Sequence, residues 1–451
     1  MHSWTFFACI LLFFPTVFLF YAMIQSRLEL EKRATKRLGL SLLIWVLTIF
    51  IVLIWLGHPV VDYFMMVMAM LLLIVSIILF FPWPEKSIGW QRGKPDRIDE
   101  RNIMFSRAEL EPGSERYNSY YKEFPDHKEP DDAFRKFAGL LQPGSTFYNP
   151  WLFGAADAAF FTVKSLHPRT DGLVNPLKQN FAPEHITRFI TTWAREMGCH
   201  SIGITLLQPH HLYKTGGRKH NYGEPVLNSH TYAIAFTVEM NFQRIRSAPR
   251  GPIIMESSAQ YLKSGTIAVQ IAAFIRTLGY DARAHIDGKY QLRCPEVAKD
   301  AGLGELGRMS ILMTPKLGPR VRIGVVTTDL PLQIITSQHD PTLLKFCQIC
   351  KKCAESCPSQ AISYKDPKDI GGTTQWVIDQ EACFTYWCKA GTDCGRCIAV
   401  CPYSHPDNLL HRIIRVLIKT SPLFRRFAII MDNWLYGIKP PERDLPIWMN
   451  P

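Results

Sequence analysis

Cysteine spacing constrains this chain more than any other feature. Cys347-x-x-Cys350-x-x-Cys353-x-x-x-Cys357-Pro358 is followed by Cys394-x-x-Cys397-x-x-x-Cys401-Pro402. Thiolates two residues apart on a tight turn can grip neighbouring irons of one cube. This cadence holds two [4Fe–4S] clusters, with the cysteine before each proline crossing to the other cluster. The spacing predicts Cys347, Cys350, Cys353 and Cys401 at one cluster. Cys394, Cys397 and Cys357 fall to the second, whose fourth ligand is Cys383 or Cys388. Paired Cys-x-x-Cys also reads as a structural zinc site, but zinc rarely needs eight thiolates in this cadence. Disulfides fit poorly, because spacing this dense is typical of intracellular metal binding. Of the twelve cysteines, Cys9, Cys199, Cys294 and whichever one the clusters leave over read as small buried hydrophobes.

Three apolar runs open the chain: Trp4–Ile24, Leu38–Leu56 and Val60–Phe81. Each is long enough to cross a hydrocarbon core of about 30 Å as a helix. The net charge of +12 lies largely beside these runs, which points to a membrane surface rather than to nucleic acid. The loop Gln25–Arg37 carries Arg27, Lys32, Arg33, Lys36 and Arg37. Lys86, Arg92, Lys94, Arg97 and Arg101 follow the third run, and the Gly57-His58-Pro59 turn has no cation. The positive-inside rule then places the first loop and everything after Trp83 in the cytoplasm, with Trp4, Trp83 and Trp90 as interface markers. The predicted location is a multi-pass inner-membrane protein whose catalytic domain faces the cytoplasm.

From Pro84 to about Pro150 the chain is polar and loop-rich and shows no chemistry of its own. The aromatics Phe147, Tyr148, Trp151 and Phe153 read as packing. Residues 183–198 have helical apolar spacing, 201–207 and 232–239 read as strands, and 258–278 is a long helix. Residues 282–286 and 321–326 are further strands. Strands alternating with helices argue for an α/β or α+β core.

Gly302-Leu-Gly304-Glu-Leu-Gly307-Arg308 matches the spacing of a dinucleotide fingerprint, but residues 296–301 before it look helical where the fingerprint wants a strand. Its glycines would still allow close approach of backbone to a flat or phosphate-bearing ligand. His285, in Arg283-Ala-His285-Ile-Asp-Gly288, nearly completes a cobalt-ligating motif. Arg283 stands where that motif needs Asp, so His285 reads as structural.

Taken together, Ala301–Arg308, Thr314–Arg322, both cysteine runs, Cys383-Phe-Thr-Tyr-Trp387, Gly391-Thr-Asp-Cys394 and Met431–Gly437 resemble the corrinoid-dependent reductive dehalogenases. The resemblance runs from about Pro183 to Trp448. It implies a base-off cobalamin in an α+β or α/β, nitroreductase-like core with a ferredoxin-like insert carrying two [4Fe–4S] clusters. It implies Cys383 rather than Cys388 as the last ligand, with Gly302, Gly304, Gly307 and Arg308 near the cofactor. Electrons would pass from an outer cluster through an inner one to cobalt, and a tyrosine would supply a proton as halide leaves. The matching tyrosine is taken as Tyr232 and its assisting cation as Arg293, with Lys289 and Arg308 as alternatives. The partners implied are an organohalide, membrane lipid and a low-potential electron donor of quinol or ferredoxin/flavodoxin type.

The predicted organisation is a three-helix membrane anchor over 1–84 and a linker and cap over 85–182. A cobalamin-binding core would cover 183–338, a two-cluster domain 339–406, and a segment closing the catalytic unit 407–451. The family's usual twin-arginine signal is missing, so anchoring in cis is expected. The basic stretch His411–Ile430 could rest on lipid or be a solvated helix. Two other functions fit less well: an epoxyqueuosine-reductase-like enzyme and a membrane-anchored electron carrier.

Overall fold

The computed structural model describes residues 2–55, 58–85, 89–91, 93–336 and 340–449, with side chains from residue 13 onward. The side chains of Trp4 and Cys9, together with Gly57, Lys86 and Arg92, lie outside the described residues. The chain divides into two compact units, one of residues 1–87 and 406–440, the other of residues 88–405 and 441–451.

The first unit begins with α1 (His2–Leu28), α2 (Lys32–Ile54) and α3 (Pro59–Phe80). Among the described residues, two helices are long and apolar enough to cross a membrane, α2 and α3, where three were expected. None of α3's side chains is buried, and Phe64, Leu71, Leu73 and Ile77 among others are exposed, as suits a lipid-facing helix.

In the second unit, α4 (Met104–Ala108) belongs to the expected cap, which is a run of short helices rather than loop. Next come α5 (Pro150–Ser165), α6 (Pro183–Glu196), β1 (Ser201–Leu206), β2 (Tyr232–Glu239), α7 (Gly251–Thr277), β3 (Ala282–His285), α8 (Cys294–Asp300) and β4 (Val321–Thr328). The sheet order is β1-β2-β4-β3, and every pairing is antiparallel. The core is therefore α+β, although its strands alternate with helices along the sequence.

Strand β2 shows why the sheet carries helices on both faces. Ile234, Phe236 and Val238 join Ile190, Ile267, Ile271 and Ile275 in one apolar cluster, while Ala233 and Ala235 join Val297, Ala298 and Leu312 in another. Large and small side chains alternate with the two-residue period of a strand. The long helix α7 thus rests on the bulky face and the short α8 on the alanine face. At Gly324 in β4, an added Cβ would meet the Phe236 ring at 2.3 Å, so only glycine fits over that ring.

The cysteine-rich segment carries α9 (Thr342–Cys350), α10 (Gln380–Ala390) and α11 (Arg396–Ala399). The chain then returns to the first unit with α12 (Leu409–Thr420) and α13 (Pro422–Tyr436). These replace the single basic stretch read from sequence, with the break at Ser421-Pro422. Residues 406–440 thus group with the apolar helices, and only 441–451 rejoin the second unit. Within the first unit, α13 packs on α2 and α3. Arg425 is buried and paired with Glu85 at 2.8 Å, and the guanidinium of Arg37 lies over the Trp434 ring. Within the second unit Trp90 packs against Trp376, with ring centroids 5.2 Å apart and the rings tilted by 55°.

Candidate active site and thiol groups

A cavity of about 420 Å³ opens beside the middle of α7 and the starts of α8 and β4. Its wall is mostly apolar, including Met104, Phe105, Leu292, Ile311, Phe384 and Trp387. Its polar groups are Tyr213, Arg218, Tyr261, Asp287, Tyr290 and Arg322. Met104 and Phe105 come from the cap, a region whose polar composition gave no sign of a role.

Tyr261 sits on α7 and Arg322 on β4. The Arg322 guanidinium carbon lies 4.9 Å from the centre of the Tyr261 ring. Arg322 is held in turn, donating to Asp393 at 2.9 Å and to the Ser257 hydroxyl at 2.6 Å. Ser257 also donates to Asp393. Burial pushes the Tyr261 phenol up to about 12, and the Arg322 charge opposes that rise. Tyr290 is driven further up, by burial and then by the neighbouring Asp287. Of these two phenols, Tyr261 has the better-supported anion: a cation is its strongest neighbour, where Tyr290 has a carboxyl.

The eight cluster-type thiols fall into two groups. Cys401 has Cys347, Cys350 and Cys353 as neighbours, and Cys353 has Cys347 and Cys350. Cys394 has Cys383 and Cys357, and Cys397 has Cys394, Cys383 and Cys357 together with Cys353 of the first group. Lys351, at φ 54°, turns the chain between Cys350 and Cys353, and Cys394 itself adopts φ 55°. Both are left-handed positions that non-glycine residues rarely take. Burial, then neighbouring sulfur, pushes the Cys394 thiol up to about 12. Such sulfurs ionise readily only against a positive centre, which iron would supply.

Zinc does not suit these groups. Four thiolates around one zinc place sulfurs about 3.8 Å apart. Among the described residues, the sets of donor atoms that all lie within 4.8 Å of one another contain no cysteine. A cube, with an iron under each sulfur, accommodates wider spacing.

Helix α10 separates Cys383 from Cys388. Five residues along an α-helix turn through about 140° beyond one full turn, so the two sulfurs face different ways. Cys383 lines the cavity and neighbours Cys357. Cys388 packs among Met104, Phe134 and Phe384. Asp379 caps the helix start by accepting from the Ala382 N–H at 2.8 Å. The buried pair Arg107–Asp131, at 2.6 Å, ties the cap to the same helix through Glu381.

The other residues singled out from sequence lie elsewhere. Tyr232 packs against the α7-side apolar cluster, opposite Thr328 in the sheet register. Arg322 pairs with Val238, six positions along, roughly 20 Å away by strand rise. Arg293 bonds Glu296 at 2.8 Å, and neither Tyr232 nor Arg293 lines the cavity. A tyrosine in the middle of a helix gave no local signal; only the crossing of α7 under β4 sets it beside a cation. Gly302, at φ 75°, ends α8, and Gly304 and Gly307 belong to the tight hairpin that follows. An added Cβ at Gly304 would meet the Met313 carbonyl oxygen at 2.1 Å, and one at Gly307 would lie 3.4 Å from the Cys347 sulfur. Arg308 reaches the first thiol group, not the cavity. His285 is fully buried, with Nε2 3.0 Å from the Thr327 hydroxyl and Nδ1 accepting the Gln291 N–H at 3.2 Å.

A smaller cluster, His210, His211 and Asp300, has metal-like spacing. His211 Nδ1 accepts the Gln208 N–H, so Nε2 carries the proton that it donates to Asp300 at 2.8 Å. This tautomer leaves no lone pair for an ion.

Residues 346–405 match the 4Fe-4S dicluster domain family. The tetrachloroethene reductive dehalogenase of Desulfitobacterium hafniense is 36% identical over 227 residues, covering 47% of this chain and 40% of that protein. That of Sulfurospirillum multivorans is 32% identical over 211 residues, covering 45% and 41%. A solved structure titled catabolic reductive dehalogenase NpRdhA shares the fold, with a TM-score of 0.64 and 23% identity, over 82% of this chain and 54% of that one. The thiol groups and the dicluster match define an iron–sulfur protein with an aromatic-lined cavity. By sequence and fold the chain is similar to the reductive dehalogenases. It spans about 40% of the length of the curated relatives it matches.

Proposed function

We propose that this chain is a membrane-attached reductive dehalogenase that uses two [4Fe–4S] clusters and a base-off corrinoid. The observation that carries the reading is the cavity bounded on one side by Tyr261 and Arg322 and on the other by Cys383. A cavity of about 420 Å³ lined by these groups supports an enzyme over a bare electron carrier.

The ligand sets are Cys347, Cys350, Cys353 and Cys401 for the outer cluster, and Cys357, Cys383, Cys394 and Cys397 for the inner one. Two cavities support the corrinoid. The segment from Arg283 to Leu292 borders both the aromatic cavity and a second, polar one lined by Asn228, Ser229, His230, Arg283 and Gln291. A flat macrocycle with amide arms suits apolar and polar compartments side by side. His285 and His230 have both ring nitrogens engaged, which fits a cobalt without a protein ligand. When bound, the reduced corrinoid supplies the cobalt centre able to cleave a carbon–halogen bond.

The net change is organohalide plus two electrons and one proton, giving the hydrogenated product and halide. The Tyr261 hydroxyl gives its proton to the substrate carbon. Arg322 stabilises the phenolate left behind, and Asp393 with Ser257 fixes the guanidinium at the ring. Phe105, Phe384 and Trp387 give the cavity an aromatic wall. Both arginines at the cavity are already paired, Arg322 with Asp393 and Arg218 with Glu109. No free cation is left for an anionic substrate, so the substrate class is a small uncharged organohalide. Electrons come from a low-potential donor of quinol or ferredoxin/flavodoxin type.

The apolar helices support membrane attachment, and the basic loop Gln25–Arg37 supports a cytoplasmic catalytic unit. A reporter fused after Pro451 checks the orientation; periplasmic activity would reverse it. The functional test is anaerobic purification with corrinoid supplied. The protein should hold about eight irons and one cobalt and release halide from a neutral haloalkene under reducing conditions. Iron without cobalt, and no halide release, would leave an electron carrier.

A further inference from the structure

Arg308 is 1% exposed. Its guanidinium donates to four carbonyls: Cys347 at 3.1 Å, Gln348 at 3.1 Å, Ser363 at 2.6 Å and Lys365 at 2.8 Å. It lies over the Trp376 ring at 4.8 Å. Among the described residues Arg308 forms no ion pair with a carboxylate, and Asp366 acts on it only from beyond contact. Cys353, Cys347 and Cys350 are among its charged neighbours. A fully buried guanidinium without a counter-ion is expensive, and carbonyl dipoles offset only part of that cost. The missing negative charge is available in one place. A cube held by four thiolates carries a net charge of 2− when oxidised and 3− when reduced.

We propose that Arg308 is the fixed counter-charge of the cluster held by Cys347, Cys350, Cys353 and Cys401, and that it raises that cluster's reduction potential relative to the inner one. The reduced cube carries one more negative charge and gains more from the buried cation. Arg308 is a positioning residue, since it touches the backbone of the ligand loop rather than substrate. The inference rests on the ligand sets proposed above.

The test uses the full-length protein loaded with both clusters, with potentials followed by EPR-monitored titration. In wild type the two clusters should titrate as separate waves; absence of [4Fe–4S] signals there would sink the proposed function itself. In Arg308→Gln one wave should move to lower potential, with the reduced fraction at the wild-type midpoint falling about tenfold, while the other wave stays. Arg308→Lys keeps the charge and should stay near wild type. Should Arg308→Gln lose one cluster while Arg308→Lys keeps both at near-wild-type potentials, the charge requirement stands. Unmoved waves at full iron content in Arg308→Gln, or equal cluster loss in both variants, would reduce Arg308 to a loop strut and overturn the inference.

Discussion

The two thiol groups hold the same number of sulfurs but sit in opposite electrostatic surroundings. Beside the Cys347 group, Arg308 is buried with carbonyl partners and no carboxylate in contact. Beside the Cys383 group, the half-buried Arg322 is matched by Asp393 at 2.9 Å. The first cation is therefore left for the sulfur ligands, while the second is already neutralised and serves a phenol. The difference teaches that one group is furnished for holding an electron and the other for spending it next to a cavity. Only the second group contributes a cysteine, Cys383, to the cavity wall.

The comparison breaks most completely at Cys383. Cys383→Ala should lower iron from about eight to about four per chain and abolish halide release, whereas Cys388→Ala should keep full iron. Metal analysis with a halide assay checks both; the reverse pattern would reassign the ligand. Next comes the proton donor. Tyr261→Phe should slow turnover about 10²- to 10⁴-fold with both clusters intact, and Tyr232→Phe should leave the rate unchanged. Equal losses in the two variants would remove Tyr261 from its role. Arg322→Gln should follow with a loss of about ten- to a hundredfold, the worth of one to two pKa units of phenolate stabilisation. Its pH profile should show the loss across neutral pH, because the Tyr261 phenol stays protonated up to about 12. The smallest effect on turnover is expected at Asp131→Asn. Removing one partner of a fully buried ion pair costs about 3–5 kcal/mol, here in the cap held to α10. Hydrogen exchange should loosen around Cys383 and remain unchanged around Cys347; uniform loosening would deny the cap its selective hold.

Much of the site's inorganic side was legible in the chain. Cluster ligands near in sequence, such as Cys347, Cys350 and Cys353, are fixed by turn geometry, so spacing alone reveals them. The helical period around Ile190 and the β-rich run at 232–239 were equally readable. Tyr232 is the sequence match to the tyrosine that the family resemblance implies, yet the register places it at the far end of the sheet from Arg322. The dinucleotide-like glycines looked like a ligand cradle and instead let a hairpin close on Met313. The cap's Met104 and Phe105 could not be found from sequence, since nothing near them hints at a cavity whose other walls lie more than 100 residues further along the chain.

What the sequence determined by itself is local: the thiols that can share a cube, the apolar helices and the alternation that gives β2 two unequal faces. Tertiary structure alone decided which phenol meets a cation, which arginine is neutralised and which thiol borders the cavity. Those outcomes depend on elements far apart in the chain crossing within a few ångströms. Short-range spacing does not encode such crossings; antiparallel register and burial do.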